Sequence, residues 1–279
     1  MTTAQLLSTL WEADSVVLVV CAIAVVLYAA FVRRGKTAFF AAAIVVFVVA
    51  LASPIGVLAR GYLFSAHMLQ HLLLVLVVPP LVWLALPHQA TPRVRALDPK
   101  PKPGPRFLEP WILGLGAMWL WHAPTLCDAA GRSLGIQRVQ TLSLLAMGAA
   151  FWWPILAPRA AHRLAPFGAM LYLFTACVGC TILGIVVTFS PIEICSIYAH
   201  PVDRLGVMPL LRDRWGMSTK ADQEIGGLMM WVPACLVYAA GILAMLARYY
   251  RDDDAPALDA APAPGAIGAS ERSVGTEGT

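Results

Sequence analysis

The chain has 279 residues, 59% of them hydrophobic and only 13% charged, with a mean hydropathy of +0.72. Soluble domains carry about 25% charge, so this composition cannot cover a water-exposed surface, and the apolar residues come in long blocks, as membrane spans do. The formal net charge of +4 is small and concentrated in a few loops, which makes it a topology signal and argues against a nucleic-acid partner.

Met1 to Asp14 lacks a positive n-region and contains Glu12 and Asp14, which argues against a cleaved signal peptide. A first apolar block runs from Val16 to Val32 and stops at Arg33, Arg34 and Lys36. A second runs from Thr37 to Ala52 and ends at Ser53-Pro54. The third starts near Tyr62, carries Pro79-Pro80 late in its run, and finishes before Pro87. Prolines are tolerated in a span when neighbouring helices satisfy the freed backbone groups, and they usually bend it. A basic, proline-rich loop follows, Pro92 to Arg106. The fourth block, Pro110 to His122, is short for a hydrocarbon core about 30 Å thick. The fifth spans Leu134 to Leu156, the sixth Pro166 to Phe189, and the seventh Ile225 to Ala247. From Asp252 the Asp, Ala, Pro, Gly and Ser composition predicts a disordered tail.

The expectation is an all-α integral membrane protein, a bundle of seven transmembrane helices with the N-terminus outside and the C-terminus cytoplasmic. Residues 1–15 form a short extracytoplasmic start, 16–251 the membrane domain, and 252–279 a cytoplasmic tail. This arrangement puts 13 of the 20 Lys and Arg residues inside and 7 outside, as the positive-inside rule asks. A six-span chain, with the fourth block not crossing, gives 14 inside and 6 outside, so charge does not decide between them. Seven spans gather His67, His71, His122, Cys127, Cys195 and His200 at the outer ends of helices, whereas six split that set between two faces. A ring of imidazole, thioether and thiol groups at one face suits a soft metal such as Cu(I).

The clearest constellation is His67-Met68-x-x-His71. Positions i and i+4 share a helical face about 6 Å apart along the axis, which lets both rings reach one ion. The alternative is a pair of interfacial histidines bonded to loops or headgroups. Met118 and His122 form a second such pair, flanked by Trp119 and Trp121, which also suit an aromatic interface belt. Asp222, Gly226 and Met229 share a face at the start of the seventh block, with Met230 beside them. Gly226 and Gly227 permit close approach of another helix, and Asp222 and Glu224 have a second reading as caps of their own helix. The metal-ligand candidates are therefore His67, His71, His122, Met68, Met229, Met230 and Asp222.

The six cysteines are Cys21, Cys127, Cys177, Cys180, Cys195 and Cys235. Cys177 and Cys180 have C-x-x-C spacing but sit mid-span, where packing of small residues between helices is the simpler account. Cys127 and Cys195 both fall on the outer side, free to pair, bind metal or remain thiols. The chain contains no P-loop, G-x-S-x-G or H-E-x-x-H motif, so the common nucleotide-binding and hydrolase signals are missing.

Phe64-Ser-Ala-His-Met-Leu-Gln-His71 with Pro79-Pro80, Trp119-Leu-Trp-His-Ala-Pro124, Phe151-Trp-Trp-Pro154, Tyr172-Leu-Phe174, and Asp222-Gln223 through Gly226-Gly227-Leu-Met-Met-Trp-Val-Pro233 occur in that order. Together they resemble the CtaG family of cytochrome c oxidase assembly factors, over residues 60–233. The resemblance implies a seven-helix bacterial plasma-membrane protein, not an enzyme, that binds copper at the extracytoplasmic face. It would help insert that copper into the oxidase catalytic subunit. His67, His71, His122, Asp222, Met229 and Met230 match the family's positions. Where many relatives have histidines near the fifth helix, this chain has Gln137, Gln140 and Thr141. The implied partners are the oxidase subunit and the lipid bilayer, with a soluble copper donor and a homo-oligomer as further expectations. The competing class is a membrane thiol oxidoreductase or copper transporter using Cys177 and Cys180. It would need ionisable groups along a path through the spans, which are nearly devoid of them.

Overall fold

The computed structural model describes residues 2–32, 35–87 and 107–259, with side chains through Arg251. The expected basic loop Pro92–Arg106 and the tail beyond residue 259 lie outside the described residues.

Among the described residues twelve α-helices follow in order: α1 Thr3–Thr9, α2 Ser15–Phe31, α3 Thr37–Ala52, α4 Pro54–Leu58, α5 Phe64–Leu72, α6 Val78–Ala85, α7 Leu108–Trp121, α8 Pro124–Arg132, α9 Leu134–Leu156, α10 Pro166–Phe189, α11 Ser196–Ala199 and α12 Thr219–Asp259. No strand occurs among the described residues. Among the described residues, five stretches are long and apolar enough to cross a membrane: Thr37–Leu58, Phe64–Ala85, Leu134–Leu156, Pro166–Phe189 and Thr219–Arg251. Ser15–Phe31 is apolar but shorter, at 17 residues. The fourth block forms a helix of 14 residues, about 21 Å long at 1.5 Å per residue.

Contacts at the helix ends show how these elements alternate. The backbone N–H of Glu12, ahead of α2, donates to the carbonyl of Ala52 at the end of α3. Arg60 pairs with Glu12 at 2.6 Å, and Arg138, near the start of α9, lies 3.9 Å from Asp14. At the opposite end, Lys36 N–H and the Tyr28 hydroxyl both donate to Ala85 O. The starts of α2, α5, α9 and α12 therefore share one end of the bundle with the finishes of α3, α7 and α10.

Proline chemistry shapes the span Phe64–Ala85. A π-helical turn, Leu73–Val77, precedes Pro79-Pro80. Pro79 has no N–H to offer the carbonyl four residues back, that of Val75. The indole of Trp152 on α9 donates to that oxygen instead, at 3.1 Å. Gly148, one turn earlier on α9, makes this approach feasible, because a Cβ there would lie 3.0 Å from Val75 O. The proline-interrupted turn is thus stitched to its neighbour. The main core packs α10 against α12, with α5, α7 and α9 closing around them.

Two boundaries differ from the sequence reading. The last helix begins at Thr219, six residues before the expected Ile225, because Ser218 caps it by accepting from Ala221 N–H. Asp222 therefore lies inside the first turns and does not cap its own helix. The same helix runs to Asp259, past the expected tail boundary at Asp252.

Candidate metal centre

Helix α5 carries no side-chain cap of its own, and the first N–H groups of any helix need acceptors. The buried carboxylate of Asp222, on α12, supplies them. It accepts from Phe64 N–H at 2.8 Å, Ser65 N–H at 3.0 Å and the Ser65 hydroxyl at 2.6 Å. A negative group at a helix N-terminus is also favoured by the helix dipole. One turn further along α12, Gly226 lets α5 close in, since a Cβ there would lie 2.4 Å from Phe64 Cδ1 and 3.2 Å from Met68 Cγ. Helix α12 thereby fixes the turns that carry His67, Met68 and His71.

His67 and His71 are fully buried, with ring centroids 4.1 Å apart. His122, just past the end of α7, stands 5.4 Å from His71. Its Nδ1 faces the carbonyl of Met118. A carbonyl only accepts, so Nδ1 carries the proton and donates. In the neutral ring Nε2 is then a bare lone pair, and it points at Met68 Sδ, 3.1 Å away. Two acceptors face each other with no hydrogen between them, an arrangement that a cation would relieve. Neither ring nitrogen of His67 has a hydrogen-bond partner among the described residues, and the buried Gln140 side chain lies beside His71. Buried polar atoms are almost always satisfied, which sets this cluster apart from the rest of the core. Among the described residues, no three or more His, Cys, Asp or Glu side chains converge on one ion position. The donors that do converge are one imidazole and one thioether.

A covalently tied loop covers the cluster. Tyr198 on α11 lies 5.5 Å from the His67 ring and 5.7 Å from Phe64, and its hydroxyl donates to Ala59 O at 2.8 Å. Burial, with the Asp222 and Asp128 carboxylates nearby, pushes the Tyr198 phenol well above its ordinary range, so it stays a donor. Cys195, three residues earlier, forms a disulfide with Cys127 of α8. Asp128 adds two bonds to the same loop, accepting from the Ser196 hydroxyl at 2.6 Å and Ile197 N–H at 3.1 Å.

Of the predicted ligands, His67, Met68, His71 and His122 come together. Met230 is buried in the same core and Met229 is half-buried against it. Asp222 sits beside α5, but its oxygens are engaged by three hydrogen bonds, so it holds the helix in place. His200 stands apart, its side chain 82% exposed and 3.9 Å from Glu193. Gln137 and Thr141 line a separate pocket with Asp14 and Arg138. The C-x-x-C thiols do not face each other: Cys177 Sγ lies 2.9 Å from Cys235 Sγ, and Cys180 Sγ lies 3.6 Å from the Tyr198-like phenol of Tyr238 on α12. Reading the sequence missed Tyr198 and Ser65. The only available signal was the presence of Cys127 and Cys195 on one predicted face.

Residues 18–252 match the model of the family described as cytochrome c oxidase caa3 assembly factor (Caa3_CtaG). A protein of Mycobacterium leprae (strain TN), carrying the name Uncharacterized protein ML1998, is 26% identical over 212 residues, which is 68% of this chain and 30% of that protein. The chain therefore spans less than a third of that relative. No solved structure matches it.

Proposed function

We propose, because this chain belongs to the cytochrome c oxidase caa3 assembly factor family, that it serves assembly by receiving copper as cargo and passing it toward the oxidase. The observation that carries this reading is the buried cluster of His67, His71, His122 and Met68, with both ring nitrogens of His67 unpartnered and a bare His122 Nε2 facing a thioether. Imidazole and thioether suit Cu(I) and do not suit Mg²⁺ or Ca²⁺. The His122 Nε2 already points at the Met68 sulfur, and the His71 and His67 rings follow it in a row, 5.4 and 4.1 Å apart. Met229 and Met230 stand close behind as further donors. The protein acts as a carrier without turnover in this reading, and its partners are an oxidase subunit, the bilayer and a soluble copper donor.

The same reading has all seven apolar helices crossing a bacterial plasma membrane, with the histidine end outside. Support comes from the alternation of helix ends and from the disulfide at that end, since such bonds persist in oxidising compartments. The thiol-oxidoreductase alternative would now have to use Cys177 with Cys235 in place of Cys180. The test is copper content under reducing conditions. A His67→Ala, His71→Ala double variant should lose bound copper, while Cys177→Ala with Cys235→Ala should keep it and support oxidase activity. Loss of oxidase activity confined to the cysteine variant would reverse the assignment.

A further inference from the structure

Beside the histidine cluster, and sharing Met68 with it, a small cavity of about 20 Å³ lies among Met68, Met118, Cys180, Met230 and Tyr238, with aliphatic side chains completing its wall. Three thioethers and a thiol thus come from four different helices, α5, α7, α10 and α12. All four residues are buried. Ordinary core packing would fill such a space with Leu or Ile, whose shapes are better defined. Empty cavities lined by apolar groups stay dry, and this volume is about that of one water-sized sphere.

We infer that this cavity is a second, sulfur-rich station for a monovalent soft metal ion, reached from the histidine cluster through Met68. The inference rests on the copper reading above and deepens it. Met68 belongs to both places: its Sδ lies 3.1 Å from His122 Nε2, and its side chain also lines the cavity. Rotation about the long, unbranched Met68 side chain moves the sulfur between them. The chemistry selects the ion. Every sulfur donor in the wall is neutral as it stands, and no carboxylate or cationic side chain lines the space. A divalent ion would carry two uncompensated charges into a low-dielectric interior, which is far costlier than one. Thioether and thiol donors favour Cu(I) over the harder metals, and Ag(I) shares its charge and softness. The Cys180 sulfur is oriented by its 3.6 Å contact to the Tyr238 hydroxyl. The outer station, richer in nitrogen, takes the ion from the aqueous side. The inner one holds it away from water, where Cu(I) resists oxidation.

The test uses the full chain in detergent, reduced and anaerobic, titrated with Cu(I) against a chromophoric Cu(I) chelator. The unaltered protein should bind two equivalents. Met118→Leu with Met230→Leu, which conserves volume and melts like the parent, should lose one equivalent and keep the other. Cys180→Ser should weaken that same equivalent. As a measurement that needs no substitution, selenomethionine-substituted protein loaded with two equivalents should show more than one Cu–Se contact in its copper absorption spectrum. If the Leu variant and Cys180→Ser both bind as much copper as the parent, with equal affinity, the inner station does not exist and the histidine reading survives. If the Leu variant loses all copper while still folded, there is one shared site and the inference is overturned. If the unaltered protein binds no copper, the proposed function itself fails and takes this inference with it.

Discussion

Ser65 and Asp222 are 157 residues apart in sequence and 2.6 Å apart in space, hydroxyl to carboxylate. That contact, with the two backbone N–H groups beside it, makes α5 depend on a cap from the last long helix. Asp222→Ala removes the acceptor for three buried donors. It should cost about 2–4 kcal/mol, more than a usual helix cap, because each orphaned buried donor carries its own desolvation penalty. Asp222→Asn keeps one carbonyl oxygen and should cost roughly half as much. Thermal unfolding in detergent measures both, and copper affinity should fall in the same order. Equal melting of Asp222→Ala and the parent would remove Asp222 from the account.

Trp152 offers a separate check on the bend. Trp152→Phe keeps an aromatic ring but leaves the Val75 carbonyl, already abandoned by Pro79, without a donor. A loss of about 1–3 kcal/mol is expected. Trp83→Phe removes the bond from Trp83 Nε1 to Ala149 O at a half-buried position and should cost less. If the two melt alike, the carbonyl at the bend has found another donor.

The disulfide closes a sequence separation of 68 residues. Loop-closure entropy for that length corresponds to about 4 kcal/mol of stabilisation. Cys127→Ser with Cys195→Ser should therefore lower the melting temperature and loosen Tyr198 over His67. Thiol labelling of denatured protein should gain two reactive cysteines on reduction. No gain would mean the bond does not form in the cell.

Tyr198 gives a pH dependence with a definite sign. Its phenol is held above the usual value in the folded protein, so the folded state keeps a proton that the unfolded state releases above about pH 10. The stability it contributes is complete below that pH and declines as pH rises beyond it. Tyr198→Phe should flatten the alkaline fall in melting temperature and lower stability at neutral pH by about 1 kcal/mol, for the lost bond to Ala59 O. An unchanged alkaline limb would assign the slope to other groups.

Orientation can be read with reporters fused after Arg251. A cytoplasmic-type reporter should be active there and a periplasmic-type one silent. The reverse result favours an even number of crossings and parts the histidine end from the compartment assigned to it.

Much of the fold was legible in the sequence because apolar blocks state helix boundaries directly. The expected Leu134–Leu156 and Pro166–Phe189 are the observed α9 and α10. The seventh block was misjudged at its start because hydropathy stops at polar residues, and Asp222 and Gln223 are polar yet helical. Their partners lie on other elements: Asp222 meets Phe64 and Ser65, and Gln223 donates to Val187 O and Ile192 O. In the site, i and i+4 spacing revealed each pair of candidate ligands but not that the pairs meet. His71 and His122 are joined only by packing. The role of Tyr198 was invisible for the same reason, since its position follows from a disulfide that spacing alone left open. Gln140, read as a departure among relatives' histidines, proves to be a buried side chain beside His71.

The link between Cys127 and Cys195 also sets an order of events. His67 leaves the ribosome 128 residues ahead of Cys195, an interval of roughly 6 to 26 s at ordinary rates of synthesis. Asp222, which anchors α5, arrives later still. Throughout that interval the imidazoles have neither anchor nor cover, and afterwards an oxidised bond holds the cover down until a reductant opens it. The newborn chain and the finished one therefore present two different accessibilities at the same residues, and the passage from one to the other happens once per molecule.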